Sequence, residues 1–276
     1  MASAIPITED EFRERTVSKY REHFNHVFTL SEFAQDAMGS YKGQQRSPYN
    51  VCLTLILPKG YKSFDAIRRL CEVASCEDAA VILRSLLNLL AVTRWISLDP
   101  TRRAGRYLAW YWVAMHSDAK RFKDRIPAQW LPAIHSHYDR VKRQFQYKDS
   151  KGKLRMAAHW YEPEVQNLRQ IFAEVELENH YEEAYKPLSG IEHSDATSYL
   201  PMLLSTEQKE GERRLEIQSD LNVPHYLRNA FQYFGDIFRL CNRTNQLADA
   251  GKLEQIISEG VKFFKSDMKS RGISAT

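Results

Sequence analysis

Apolar residues recur at helical spacing along most of the chain, and strict alternation is confined to one short stretch. Thr8 followed by Glu11 is a capping box, which predicts a first helix from about Glu9 into the Ser31–Met38 region. Gly39 to Pro48 reads as a loop. A second helix covers roughly Val51 to Val73, with Pro58-Lys59-Gly60 the point where it bends or breaks. Ser75 to Asp78 turns into a strongly apolar helix ending near Ser97. Asp99-Pro100 supplies the N-cap and first position of a helix to about Arg125. Pro127 opens another to about Lys148, Asp149–Lys153 is a loop, and Pro163 starts a helix through Glu174–Glu178. Pro187 and Pro201 interrupt the pattern. Arg214-Leu215-Glu216-Ile217 alternates, which predicts a short hairpin near 205–220. Pro224 begins a long helix to about Asp249, Gly251 ends it, and a last amphipathic helix covers Leu253 to Met268. The expectation is one all-α domain over 1–276, with a helical extension at 1–45 and C-terminal helices at 222–270.

The apolar helix is the most informative element. Between Ala79 and Val92 its only polar residues are Arg84, Ser85 and Asn88. Arg84 and Asn88 lie one turn apart on one face, with Ser85 beside them. A cation there is costly unless it is paired or aimed at a ligand. A second polar cluster, Tyr185 to Asp195, is about a hundred residues further on. If the two face each other they form a polar pocket in a helical bundle, with Glu192 or Asp195 as acceptor for Arg84, or with Arg84 binding an anion such as phosphate. Ser189 and His193 share a helix face if Pro187 begins a helix, and Glu192 lies beside it. His193 is then a natural base; the alternative is a histidine that holds two helices together.

Composition narrows the class. Hydrophobic residues make up 43% and charged residues 27%, ordinary for a soluble globular protein. With 11 Gly and 10 Pro, a turn-rich β architecture is disfavoured. No apolar run reads as long as a membrane span, and the first residues lack a signal-peptide pattern, so a cytoplasmic protein is expected. Cys52, Cys71, Cys76 and Cys241 have no zinc-site spacing and read as reduced, buried thiols. No metal or cofactor motif is present. His23-x-x-His26 reads as packing histidines, and His135 and His137 as pointing to different sides of a helix.

Net charge is +4, unevenly spread: residues 101–155 hold 14 Lys or Arg against 4 Asp or Glu, and residues 156–220 hold 5 against 14. The basic stretch is interleaved with aromatics, a mixture that binds nucleic acid through phosphate contacts and base stacking. Arg121 and Lys123 are the candidates there. The competing reading, slightly favoured, is that the two regions neutralise each other across helices and the aromatics are core.

The Leu83-Arg84-Ser85-Leu86 helix and the Tyr185-x-x-Leu188-Ser189-x-x-x-His193 element resemble an uncharacterised bacterial all-helical family in the HEPN-like group (higher eukaryotes and prokaryotes nucleotide-binding). The resemblance spans roughly 50–200, perhaps to 240, and Asn88 departs from it where the family commonly has an acidic residue. It implies a HEPN-like core at about 50–240 and a homodimer. It also implies RNA binding, in a toxin or defence setting, with metal-independent RNA cleavage in its catalytic version. His193 would then activate the ribose 2′-hydroxyl. Lys186 stands with six residues between it and His193, at the longest spacing where the group carries arginine, and Arg84 is the alternative phosphate ligand; Tyr185, Asn88, Ser189 and Glu192 would complete the site. The competing class is a non-catalytic interaction or regulatory protein in which these residues form a buried polar network and the partner is a protein.

Overall fold

The structure, a computed structural model, describes residues 8–43, 47–122, 125–192 and 220–272, with backbone alone for 190–192. Among the described residues the fold is all-α apart from one two-stranded hairpin. Two compact units emerge, one drawn from 1–44, 54–93 and 179–276, the other from 45–53 and 94–178. The hairpin expected near 205–220 falls almost wholly outside the described residues.

The first unit contains α1 (Glu9–Lys19), α2 (Arg21–Ser40) and most of α3 (Pro48–Glu72) and α4 (Cys76–Leu98). A π-helical turn at Tyr181–Tyr185, then α8 (Lys186–Glu192), α9 (Val223–Asn245) and α10 (Ala250–Ser270) complete it. Thr8 caps α1 in the expected box, its hydroxyl accepting from Glu11 N–H. The first helix is not continuous, however: the backbone breaks at buried Tyr20. Conversely, α3 runs straight through Pro58. The proline removes one ladder bond, but Ile56, Leu57, Phe64 and Ile67 are buried on either side of it and packing holds the helix. The π-turn leads directly into α8, so Pro187 sits in a first helical turn instead of interrupting. Pro224 opens α9 as expected, but α9 ends at Asn245, with Gln246 in the left-handed region; Gly251 lies inside α10, which Asp249 caps.

The core of this unit is aromatic. α9 buries Phe231, Phe234 and Phe238, and Phe234 stacks on Phe64 of α3 with centroids 4.7 Å apart. α9 packs on α10 and α2, and α10 on α2. A Cβ on Gly260 would lie 2.3 Å from the Phe231 ring, so glycine is what lets α10 approach. By length and hydropathy α4 could cross a membrane, contrary to the expectation that no run would; but 61% of its apolar window is buried in the fold, as in a core helix. All four cysteines are buried and none forms a disulfide, and burial pushes the Cys52 and Cys76 thiols up to about 12.

The second unit holds α5 (Pro100–Arg121), α6 (Leu131–Val141), β1 (Gln146–Lys148), β2 (Leu154–Met156) and α7 (Leu168–Glu174). Asp99 caps α5, accepting from Arg102 N–H. The predicted helix to Lys148 stops at Val141, passes through a 3-10 turn and becomes β1. A local turn reverses the chain there: Asp149 accepts from Lys151 and Lys153 N–H and from Arg155, closing a turn that pairs Tyr147 with Arg155. Phe145 then packs against Val113 and Ala157. The helix expected from Pro163 is likewise only α7, capped by Asn167.

Candidate functional site

Arg84 is half-buried on α4. Its Nη2 donates to the Tyr185 hydroxyl at 3.0 Å, and its guanidinium lies 4.6 Å from the centre of that ring. The polar stripe of α4 and the start of the second cluster therefore meet, through the tyrosine. Tyr181 stacks on Tyr185 across the π-turn, centroids 5.1 Å apart. Asn88 is half-buried, and its Oδ1 finds no partner among the described residues. Ser85, by contrast, is exposed. The Lys186 side chain is 71% exposed and pairs with Glu182 at 3.6 Å. Ser189 is half-buried on α8. The Glu192 side chain and all of His193 lie outside the described residues.

In the second unit part of the basic stretch is spent on its own framework. Arg102 and Arg103 both pair with Glu164, at 2.9 and 3.1 Å, and Arg103 also reaches Glu174. The Arg103 guanidinium carbon lies over the buried Trp95 ring, 3.8 Å from its centre. Arg106 donates to three backbone carbonyls, of Gln144, Trp160 and Glu162, tying the hairpin approach and the following loop to α5. Three arginines of the 101–155 stretch are thus structural, two of them through acidic partners. What remains for a ligand is Lys120, Arg121, Arg125, Arg140, Arg143, Lys148, Lys151 and Lys153, all exposed and none paired with a carboxylate among the described residues. Lys123 lies outside the described residues. Two large rings share this exposure: Tyr111 at 55% and Trp130 at 54%. Trp112 stacks on His137, centroids 4.0 Å apart, and His116 lies near His135. Both α6 histidines therefore face α5, contrary to the expectation of opposite sides. This antiparallel register carries Lys120 and Arg121 towards the α6 end that bears Trp130.

A third feature has no counterpart among the motifs legible in the sequence. In the first unit a cleft of about 310 Å³ opens beside α9, lined among others by His180, Glu183, His225, Arg228, Tyr233 and Lys265. Arg228 is half-buried and its pKa is pushed down by burial. It donates from Nε and Nη2 to Asn229 Oδ1, at 3.2 and 3.0 Å, and from Nη1 to Met268 Sδ. Those bonds fix the Asn229 carboxamide, so its NH2 faces His225 Nε2 at 3.0 Å. Nε2 must then accept, and the neutral ring carries its proton on Nδ1. The surrounding protein, and secondarily the Arg228 charge, push the His225 pKa down to about 4, although the ring stays open to solvent. The available signal was Pro224: a proline at the start of a helix places His225 and Arg228 one turn apart on one face.

A protein-family model, DUF5677, matches residues 50–211. The chain belongs to this family of unknown function. The match takes in the Arg84 helix, the whole basic stretch and the Tyr185–Ser189 element, which is the stretch over which the sequence resembles an uncharacterised family. All of α9 and α10, and with them most of the cleft lining, lie beyond the part of the chain that the DUF5677 match covers; His180, Glu183 and Ala184 of that lining fall within it. No curated protein and no solved structure matches the chain.

Proposed function

We propose that the protein binds RNA and belongs to the HEPN-like group. The carrying observation lies in the second unit, where the exposed rings Tyr111 and Trp130 accompany eight exposed cations that no carboxylate among the described residues neutralises. Cations of this kind hold phosphates, and open rings accept bases irrespective of sequence. In the catalytic version, of toxin or defence type and acting as a homodimer, His193 is the base and Arg84 or Lys186 holds the scissile phosphate. Arg84 is positioned by Tyr185, and Lys186 is exposed enough to reach a ligand. The second reading, an interaction or regulatory protein, draws on Arg102, Arg103 and Arg106, whose charges the fold itself consumes.

The test is titration of the purified protein with fluorescent single-stranded RNA at several salt concentrations. RNA affinity should fall steeply with salt, and reversing the charges of Arg121 and Lys123 should flatten that slope by about one unit for each phosphate that is no longer neutralised. No binding by folded protein at low salt would transfer the protein to the interaction class. Cleavage is tested separately, by comparing wild type with His193→Ala on the same RNA.

A further inference from the structure

We propose that the cleft beside α9 binds a phosphate monoester, with Arg228 and His225 as its anion ligands. The proposal is independent of RNA binding by the second unit. A half-buried cation normally faces a carboxylate, because desolvating it alone is costly. Arg228 instead bonds to a carboxamide oxygen and a thioether, both neutral. No carboxylate lies in ion-pair range of it among the described residues, and none of its bonds is to a residue outside them. A guanidinium has five N–H donors. Three serve Asn229 and Met268, which leaves one on each terminal nitrogen. The Asn229 bond directs the His225 proton to Nδ1, a third donor in the same cleft lining. Three donors match the three terminal oxygens of a phosphate monoester.

The surroundings agree in charge and size. Exposed Lys265 adds a second cation to the lining, against one carboxylate, exposed Glu183. In the adjoining lobe Asp267 is already engaged by His23 and Arg271, at 3.0 and 2.9 Å, so it places no free negative charge there. Phe231, Tyr233, Phe264 and Met268 supply an apolar wall for the body of the ligand. A volume of about 310 Å³ is at the small end of organic-ligand sites. The cleft therefore suits a compact monoester of mononucleotide size, whether free or as the phosphorylated end of a strand.

The experiment is calorimetric titration of the full chain with adenosine monophosphate, adenosine, and a dinucleotide bearing either a 5′-phosphate or a 5′-hydroxyl, a strand too short to engage several cations of the second unit at once. Binding of the monophosphate or of the 5′-phosphorylated strand, with adenosine and the 5′-hydroxyl strand at least tenfold weaker, is expected. The first positive arm identifies a free ligand, the second a strand end. Arg228→Met, which keeps the packing stem, should lose at least tenfold in affinity for the phosphorylated probe, and Arg228→Lys should recover part of it. Equal binding of phosphorylated and unphosphorylated probes, no binding of either phosphorylated probe, or undiminished binding by a folded Arg228→Met would overturn the proposal. RNA binding by the second unit would be untouched by any of these outcomes.

Discussion

At the scale of the residue, Arg84 shows how a cation on an apolar helix is anchored. Tyr185 meets it with both its hydroxyl and its ring. The two contacts are separable by mutation. Tyr185→Phe keeps the ring and removes one charge-assisted hydrogen bond, so it should cost about 1–2 kcal/mol. Tyr185→Ala also removes a buried ring and the cation–π contact, and should cost about 3–5 kcal/mol. Urea denaturation of the two variants checks this. Equal destabilisation would mean that the hydroxyl alone matters.

At the scale of the element, helix–helix approach depends on where a side chain is missing. Gly260 and Gly105 both sit inside helices and look alike in sequence. Around a Cβ at Gly105 there is nothing within 4 Å, whereas at Gly260 it would meet the fully buried Phe231 ring at 2.3 Å. Gly105→Ala should therefore stabilise by roughly 0.5–1 kcal/mol through helix propensity. Gly260→Ala gains the same propensity but overpacks the α9–α10 seam by about 1–3 kcal/mol, for a net loss. Opposite shifts in the denaturation midpoint are the expected result, and a stabilised Gly260→Ala would contradict the packing described.

At the scale of the whole molecule, several histidines share one sign. Desolvation is the leading cause that pushes down the pKa values of His23, His26, His116 and His225. For His23 the Asp267 partner opposes the shift without reversing it. A folded pKa below the ordinary value of about 6.5 means that the unfolded chain binds the proton more tightly. Their contribution is thus fully present above that value and is lost as pH falls through the window below it, which for His225 extends to about 4. The Asp267 carboxyl, held low by His23 and Arg271 against the opposing effect of burial, adds a loss in the same direction at lower pH. The denaturation midpoint should fall between pH 7 and pH 5, less steeply in His23→Gln. A midpoint that rises over that range would contradict the neutral state assigned to these rings.

Local signals were enough for much of the architecture. The Thr8–Glu11 box, Asp99-Pro100 and Pro224 start helices because capping and proline geometry act within one turn. Periodicity marked α4 as a core helix and pointed to Arg84 as its exceptional residue. Everything that required a distant partner was decided by tertiary structure. Phe145, packed on Val113, helps convert a helical pattern into a strand, and packing carries α3 through Pro58. Glu164 and Glu174, some 60 to 70 residues away, take up Arg102 and Arg103. The same holds for the cleft: His225 and Arg228 were readable as one-turn neighbours, but sequence carries no sign of whether a counter-charge approaches. A charge becomes available to a ligand when the fold desolvates it and supplies no opposite charge, and that depends on contacts between segments far apart along the chain.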